Sequence, residues 1–357
     1  MTLDIVRHRL YNQFLSHTNF TEPGQVVGSL GAVQSQDYAG AKWALGQRMK
    51  GATDPILDKA FNEGKILRTH LMRPTWHFVT PEDIRWMLAL TAPRVHAVNA
   101  FMYRQLELDR AIIKKSYRVL EKALQGNKQL TRSELGSAFE TAGIVAKGPR
   151  LAYFMMSAEL DGIICSGARK GKQFTYALLE ERAPRVQALR RDEALAALTR
   201  RYFVTRGPAT LHDFTWWSGL TVADAKEGIE AVKSQFVNEV IDGKTYWFDS
   251  SVAPTLEKSP AVHLLPNYDE YFIGFKDRSA IGQVAGRAGI KGDDPSLLAN
   301  VIILDGQIVG GWRRTLKKKE VLIEFMLITD LTNTQERAAA RAASQYGEFL
   351  RLQVEIV

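Results

Sequence analysis

Apolar residues in the middle of the chain recur three and four apart: Ile113, Tyr117, Leu120 and Leu124 share one helical face, and Gly126-Asn127 stops the run. Thr131-Arg132-Ser133-Glu134 has the spacing of a capping box, which opens a second, shorter helix through Leu135 and Phe139. Pro149 follows Gly148 at the start of a third helix, whose apolar face runs from Leu151 to Leu160 and which Gly162 ends. Two strand-like runs come next, Ile163 to Ser166 and Phe174 to Leu178. They flank Gly167-Ala168-Arg169-Lys170-Gly171-Lys172, a basic loop with the character of the wing in a winged helix.

The same order returns downstream. Leu195, Leu198 and Tyr202 mark a first helix, Thr210-Leu211-His212-Asp213 begins a second and Thr221-Val222-Ala223-Asp224 caps a third. Asp242-Gly243 then turns a hairpin between Phe236 to Ile241 and Lys244 to Phe248. A looser copy comes first: helices over Leu3 to Leu15, after Pro23 and over Pro55 to Glu63, then extended runs Lys65 to Leu71 and Thr75 to Thr80 that turn at Arg73-Pro74. A repeat of roughly 80 residues suits a small domain rather than a solenoid. After Ser259-Pro260 the pattern becomes β-rich, with runs at Val262 to Leu265, Val301 to Leu304, Ile308 to Trp312 and Val321 to Leu327. A helix rich in Ala and Arg, Gln335 to Leu352, precedes a last strand. The expected fold class is therefore α+β: three tandem winged-helix units over residues 1–105, 106–185 and 186–258, then a β-rich or small-barrel module over 259–357.

Composition narrows the function classes. With 357 residues, 45% of them hydrophobic, the chain can bury a sizeable core unaided. Its single cysteine, Cys165, excludes an internal disulfide framework and fits a reducing interior. No run approaches the ~18 apolar residues of a membrane helix, and the N-terminus lacks the apolar core of a signal peptide, so a cytoplasmic, nucleoid-associated protein is expected. A net charge of +8 points toward a polyanionic partner. Neither a metal-ligand spacing, nor a phosphate-cradling glycine loop, nor a nucleophile elbow is present, so no metal and no cofactor are expected.

Winged helices are helix-turn-helix variants that place one helix in the major groove, with the wing against backbone or minor groove. Candidate DNA contacts are Arg73 in the first hairpin, Arg169, Lys170 and Lys172 in the middle wing, and Trp312, Arg313 and Arg314 on the C-terminal strands. Each is individually as compatible with a solvated charged face.

Three stretches carry a resemblance. Gly31-Ala32-Val33-Gln34-Ser35-Gln36-Asp37-Tyr38, His70-Leu71-Met72-Arg73-Pro74-Thr75-Trp76-His77, and Leu264-Leu265-Pro266-Asn267-Tyr268-Asp269 with Gly274-Phe275-Lys276-Asp277-Arg278 are similar to recurring motifs of the AlkZ-like winged-helix DNA glycosylases. The resemblance implies a C-shaped clamp of three winged helices with a small β-barrel, acting on alkylated or bulky purines and, in some members, on interstrand crosslinks. It also places a Gln-Φ-Gln motif at the catalytic centre, Φ being hydrophobic. Here Gln34 and Gln36 match, whereas Ser35 departs.

An N3- or N7-alkylated purine is already a good leaving group, so catalysis must help the sugar, where an oxocarbenium-like charge develops and water attacks. An amide oxygen can orient that water but is no strong base. Asp37 could add a charge or cap a helix. His77 could line the DNA-facing side or sit buried in its strand, and Lys276 and Arg278 could contact DNA or join an internal ion-pair cluster. Without a lysine nucleophile beside the motifs, excision by water without strand cleavage is expected. The reading is a monofunctional glycosylase acting as a monomer on damaged double-stranded DNA. A non-catalytic DNA-binding regulator and a protein-interaction scaffold are the alternatives.

Overall fold

The computed structural model describes residues 3–183, 185, 187–252, 254, 259–283 and 299–357. The first part runs α1 (Ile5–Asn12), α2 (Pro23–Leu30), β1 (Val33–Gln34), α3 (Tyr38–Gly46), α4 (Asp54–Asn62), β2 (Leu67–Leu71), β3 (Thr75–Val79) and the 22-residue α5 (Ile84–Gln105). Its antiparallel sheet has the order β1-β3-β2. The pattern reading lacks β1, α3 and α5, each for its own reason. β1 is two residues long and is a strand only because β3 lies beside it. Seven of nine α3 residues are buried, so no amphipathic stripe marks it. α5 carries Pro93 in its interior, normally a breaking signal.

The middle part follows its expected order: α6 (Arg110–Leu124), β4 (Leu130–Thr131), α7 (Arg132–Thr141), α8 (Pro149–Leu160), β5 (Ile164–Ser166) and β6 (Thr175–Leu178), with α9 (Leu179–Arg182) after it. The capping box forms, Thr131 Oγ accepting from the Glu134 N–H at 3.3 Å and Glu134 Oε2 from the Thr131 N–H at 2.6 Å. The third part comprises α10 (Arg191–Arg206), α11 (Leu211–Ser218), α12 (Val222–Val232) and the hairpin β7 (Val237–Ile241) and β8 (Lys244–Phe248).

The last part holds β9 (Val262–Leu265), α13 (Glu270–Ile273), β10 (Val301–Leu304), β11 (Gln307–Leu316), β12 (Glu320–Leu327), α14 (Asn333–Leu350) and β13 (Gln353–Ile356). Its five strands lie in the order β13-β12-β11-β10-β9, and no pairing among the described residues closes them into a barrel. The buried stretch of β11 runs without a break from Ile308 to Trp312, and its end divides the aromatic-basic run. Trp312 points inward, fully buried, and donates from Nε1 to the Leu265 carbonyl at 2.9 Å. Arg313 next to it is exposed. The expectation that Trp312 touches DNA is therefore corrected: it is a core residue, packed edge-on to Tyr346 at 5.2 Å.

Packing does not follow the chain order. Val26, Trp43, Phe61 and Phe78 share a core with Leu264, Trp312, Ile323 and Phe349 of the last part. Leu67, Leu71 and Met87 share another with Leu198, Tyr202, Phe203 and Trp217 of the third. The middle part has a core almost wholly its own, built on Leu120, Phe139, Phe154 and Ile164. Burial of large apolar side chains at about 25 cal/mol per Å² thus fastens the segment carrying β1 to two distant stretches of sequence. Among the described residues, no helix is long and apolar enough to cross a membrane.

Candidate functional site

The two glutamines lie where α2 ends and the sheet begins. Gly31 ends α2 at φ 82°, a conformation that suits glycine, and the chain enters β1 with Gln34 opposite His77 on β3. Pairing runs one residue past the strand, the Ser35 N–H donating to the Trp76 carbonyl at 2.7 Å. Arg68 Nε donates to the Ser35 carbonyl at 3.1 Å, its guanidinium stacked between Trp76 at 4.3 Å and Phe174 at 4.6 Å.

Gln34 and Gln36 are placed differently. Gln34 is buried, and its Oε1 accepts from Arg73 Nη2 at 2.8 Å. Gln36 is exposed, with its Oε1 accepting from the Trp76 N–H at 3.3 Å. Ser35 between them is fully buried, and its hydroxyl has no partner. An apolar residue would suit that spot, since an unsatisfied buried hydroxyl costs about 1–3 kcal/mol.

Behind Gln34 stands a carboxylate that the pattern reading missed. The Gln34 N–H donates to Glu270 Oε1 at 2.9 Å, while Glu270 Oε2 accepts from Arg206 Nη2 at 2.7 Å and from Trp217 Nε1 at 2.9 Å. Both members of the ion pair are buried, and Arg206 is further tied to the Leu30 carbonyl at 2.9 Å and stacked on Trp217 at 4.3 Å. A buried ion pair persists only when such bonds replace its lost water. Next in sequence, Asp269 takes a bidentate pair of 2.8 Å bonds from Arg48. The signal for this frame was the acidic pair Asp269-Glu270 set in an apolar stretch.

Arg73 occupies the β2–β3 turn, where Met72 adopts φ 59°. That turn presses on the end of α11: a Cβ on Gly219, at φ 70°, would lie 2.3 Å from the Met72 carbonyl oxygen and 3.4 Å from Arg73 Cγ. Burial lowers the Arg73 guanidinium below its ordinary value, and the nearby Glu270 carboxylate opposes that shift.

His77 lines no exposed surface. It is fully buried, and burial, reinforced by the Arg73 charge, pushes its imidazole down to about 3, so the ring is neutral near pH 7. Its Nδ1 lies 3.0 Å from the Thr75 carbonyl, and Nε2 has no partner. Asp37 caps α3, accepting from the Gly40 N–H at 3.0 Å, and pairs with Arg314 Nη2 at 3.3 Å. It is thus bound into structure beside the motif, as is Arg314.

The other basic candidates divide by exposure. Arg169 folds back over Tyr38 at 4.9 Å and Phe174 at 5.2 Å and lies 3.7 Å from Asp58. Arg278 stacks on Phe272 at 4.4 Å and donates to its carbonyl. Lys170 pairs with Glu134 at 2.9 Å on the surface. Lys172, Lys276 and Arg313 are exposed. Asp277 pairs with Lys244 of β8 across the last and third parts, a bridge in which neither Lys276 nor Arg278 takes part. Burial pushes the Cys165 thiol up to about 12, which keeps it unreactive. Among the described residues, no group of His, Cys, Asp or Glu could hold a metal ion.

Chemically, the arrangement offers two fixed amides and a neighbouring arginine. Glu270 is spent on three donors, so it acts as a scaffold for Gln34 rather than as a free base.

The chain is similar along its whole length to known proteins. An interstrand DNA cross-link repair glycosylase of Streptomyces sahachiroi is 22% identical, over 98% of this chain and 97% of that protein. The solved structure of the DNA glycosylase AlkZ of the same organism superimposes with a TM-score of 0.77 at 20% identity, covering 99% of this chain and 98% of that one, so the two share a fold. The family described as DNA glycosylase AlkZ-like matches residues 27–349, and the chain belongs to it.

Proposed function

We propose that the protein is a monofunctional DNA glycosylase that hydrolyses the N-glycosidic bond of alkylated or bulky purines, and that it unhooks interstrand crosslinks, the Streptomyces sahachiroi relative being named for the repair of such crosslinks. The observation that carries this reading is the pinned glutamine pair, with Gln34 clamped between Arg73 and Glu270 and Gln36 presented to solvent beside it. In the proposed reaction the C1′–N bond breaks with its electron pair passing to the cationic purine, which leaves neutral. Water adds to C1′ and gives up its proton to solvent. Gln36 orients that water, and the Gln34 amide dipole faces the developing sugar charge. Arg73, beside a cationic sugar, is better placed for a flanking phosphate than for the reacting carbon.

The tandem helix, helix, helix, hairpin units serve as winged helices along a duplex, in an arc completed by the C-terminal sheet. Lys172, Lys276 and Arg313 are the exposed cations offered as phosphate contacts, and the protein works as a monomer at the nucleoid. The test is incubation with a duplex bearing 7-methylguanine, or a crosslink, followed by alkali cleavage at abasic sites. Gln34→Ala with Gln36→Ala should abolish the product and leave salt-dependent binding intact. Unchanged product would move the chemistry elsewhere. Wild-type binding without any product would favour a DNA-binding protein that does not cut.

A further inference from the structure

Trp216 and Trp217 follow one another near the end of α11, about 100° apart around the helix. Trp217 turns inward, fully buried against Glu270. Trp216 turns outward and keeps 43% of its surface in water. It is nevertheless held: its Nε1 donates to the Ile273 carbonyl at 3.1 Å, and the Arg73 guanidinium that grips Gln34 lies 5.9 Å from its ring centroid. With its one polar group satisfied inside the protein, what the indole offers to solvent is apolar ring, in a fixed orientation and beside the glutamine centre.

We propose that Trp216 is a stacking platform for a nucleobase of the bound duplex, one left without its normal stacking neighbour at the damaged step. The proposal rests on the glycosylase reading above and adds a specificity-determining residue to it. Every base has a π-face, so stacking of this kind is tolerant of sequence but selective for DNA whose base stack is already interrupted. An indole already immobilised loses little freedom when a base covers it. The position also shares out the work: Arg73 and the exposed lysines hold phosphates, Gln34 and Gln36 face the sugar, and Trp216 holds a base.

The experiment compares the full-length protein with Trp216→Ala and Trp216→Phe. Affinity is measured for an undamaged duplex and for the same duplex carrying a tetrahydrofuran abasic analogue, and single-turnover excision is measured on a 7-methylguanine duplex. Trp216→Ala should weaken binding to the abasic duplex by about tenfold while leaving the undamaged duplex within twofold, and Trp216→Phe should recover most of the loss despite lacking the indole N–H. Stacking should also quench 2-aminopurine placed beside the abasic site, in wild type and Phe but not in Ala. Equal abasic affinity and equal quenching in wild type and Ala would overturn the platform. If the wild type excises nothing and Ala still loses abasic selectivity, the glycosylase reading fails while the platform stands.

Discussion

Gln34 and Glu270 are 236 positions apart in the sequence, yet the backbone N–H of the first donates to the carboxylate of the second at 2.9 Å in the interior. The bond places an element of the N-terminal sheet against the short helix α13, and Arg206 and Trp217 complete it from α10 and α11. Loss of the carboxylate would leave Arg206 as an unpaired buried charge. Glu270→Ala should therefore cost about 3–5 kcal/mol in urea unfolding, and Glu270→Gln a comparable amount, because the neutral amide leaves Arg206 uncompensated and turns a donor toward one of the three donors that the carboxylate accepts from. Equal, small effects would mean that the ion pair is not part of the framework.

Ser35 offers the opposite case. Its hydroxyl is buried and unbonded, so Ser35→Ala removes a polar group without breaking a contact. The variant should be as stable as the parent or more so by up to about 1 kcal/mol, read as a higher urea midpoint at unchanged slope. A drop of similar size would show that the hydroxyl is satisfied after all.

Gly219 lies directly against the turn that carries Arg73. A methyl group there would meet the Met72 carbonyl at 2.3 Å on a residue already at φ 70°. Gly219→Ala should lower stability by about 1–3 kcal/mol and, by shifting the hairpin, lower excision more than Trp216→Phe does. Thermal melts and single-turnover rates on the 7-methylguanine duplex are the measurements.

Two desolvated histidines set a pH dependence. The buried His77 is held at about 3 and the half-buried His263 at about 4, desolvation being the first cause in both, against an ordinary 6.5. Between those values and 6.5 the unfolded chain binds protons that the folded one does not, so stability falls as pH falls. The slope approaches roughly 1.4 kcal/mol per pH unit for each histidine. Stability should thus be fully present above about pH 6.5 and decline from there toward pH 4, and His77→Gln should flatten the decline. A flat profile in the wild type would contradict the buried, neutral assignment.

What was legible in the sequence was what local chemistry writes there. The capping box at Thr131 and Glu134, the Asp242-Gly243 turn and the helical stripe through Leu120 and Leu124 all formed where the spacing placed them. The glutamine pair stood out through its motif, and its clamps did not, because Arg73 and Glu270 meet Gln34, and Trp217 meets Glu270, only through long-range packing. Trp312 shows the reverse error: beside two arginines it read as a surface aromatic, whereas it ends the buried stretch of β11 and packs on Tyr346 of α14. For α3, burial on every side erased the very contrast on which periodicity depends.

The interlocked cores have a consequence for anyone seeking a smaller version of this protein. Since Val33 and Phe78 pack with the C-terminal sheet while Leu67 and Leu71 pack with α10 to α12, no fragment cut from either end can hold the glutamine strand in place. Even the central unit, whose interior is largely its own, lends Phe174 to the Arg68 that holds Ser35 and Glu159 to His70 on β2. A pared-down catalytic fragment should not exist, and engineering must keep both ends of the polypeptide together with the face of its middle that meets β2.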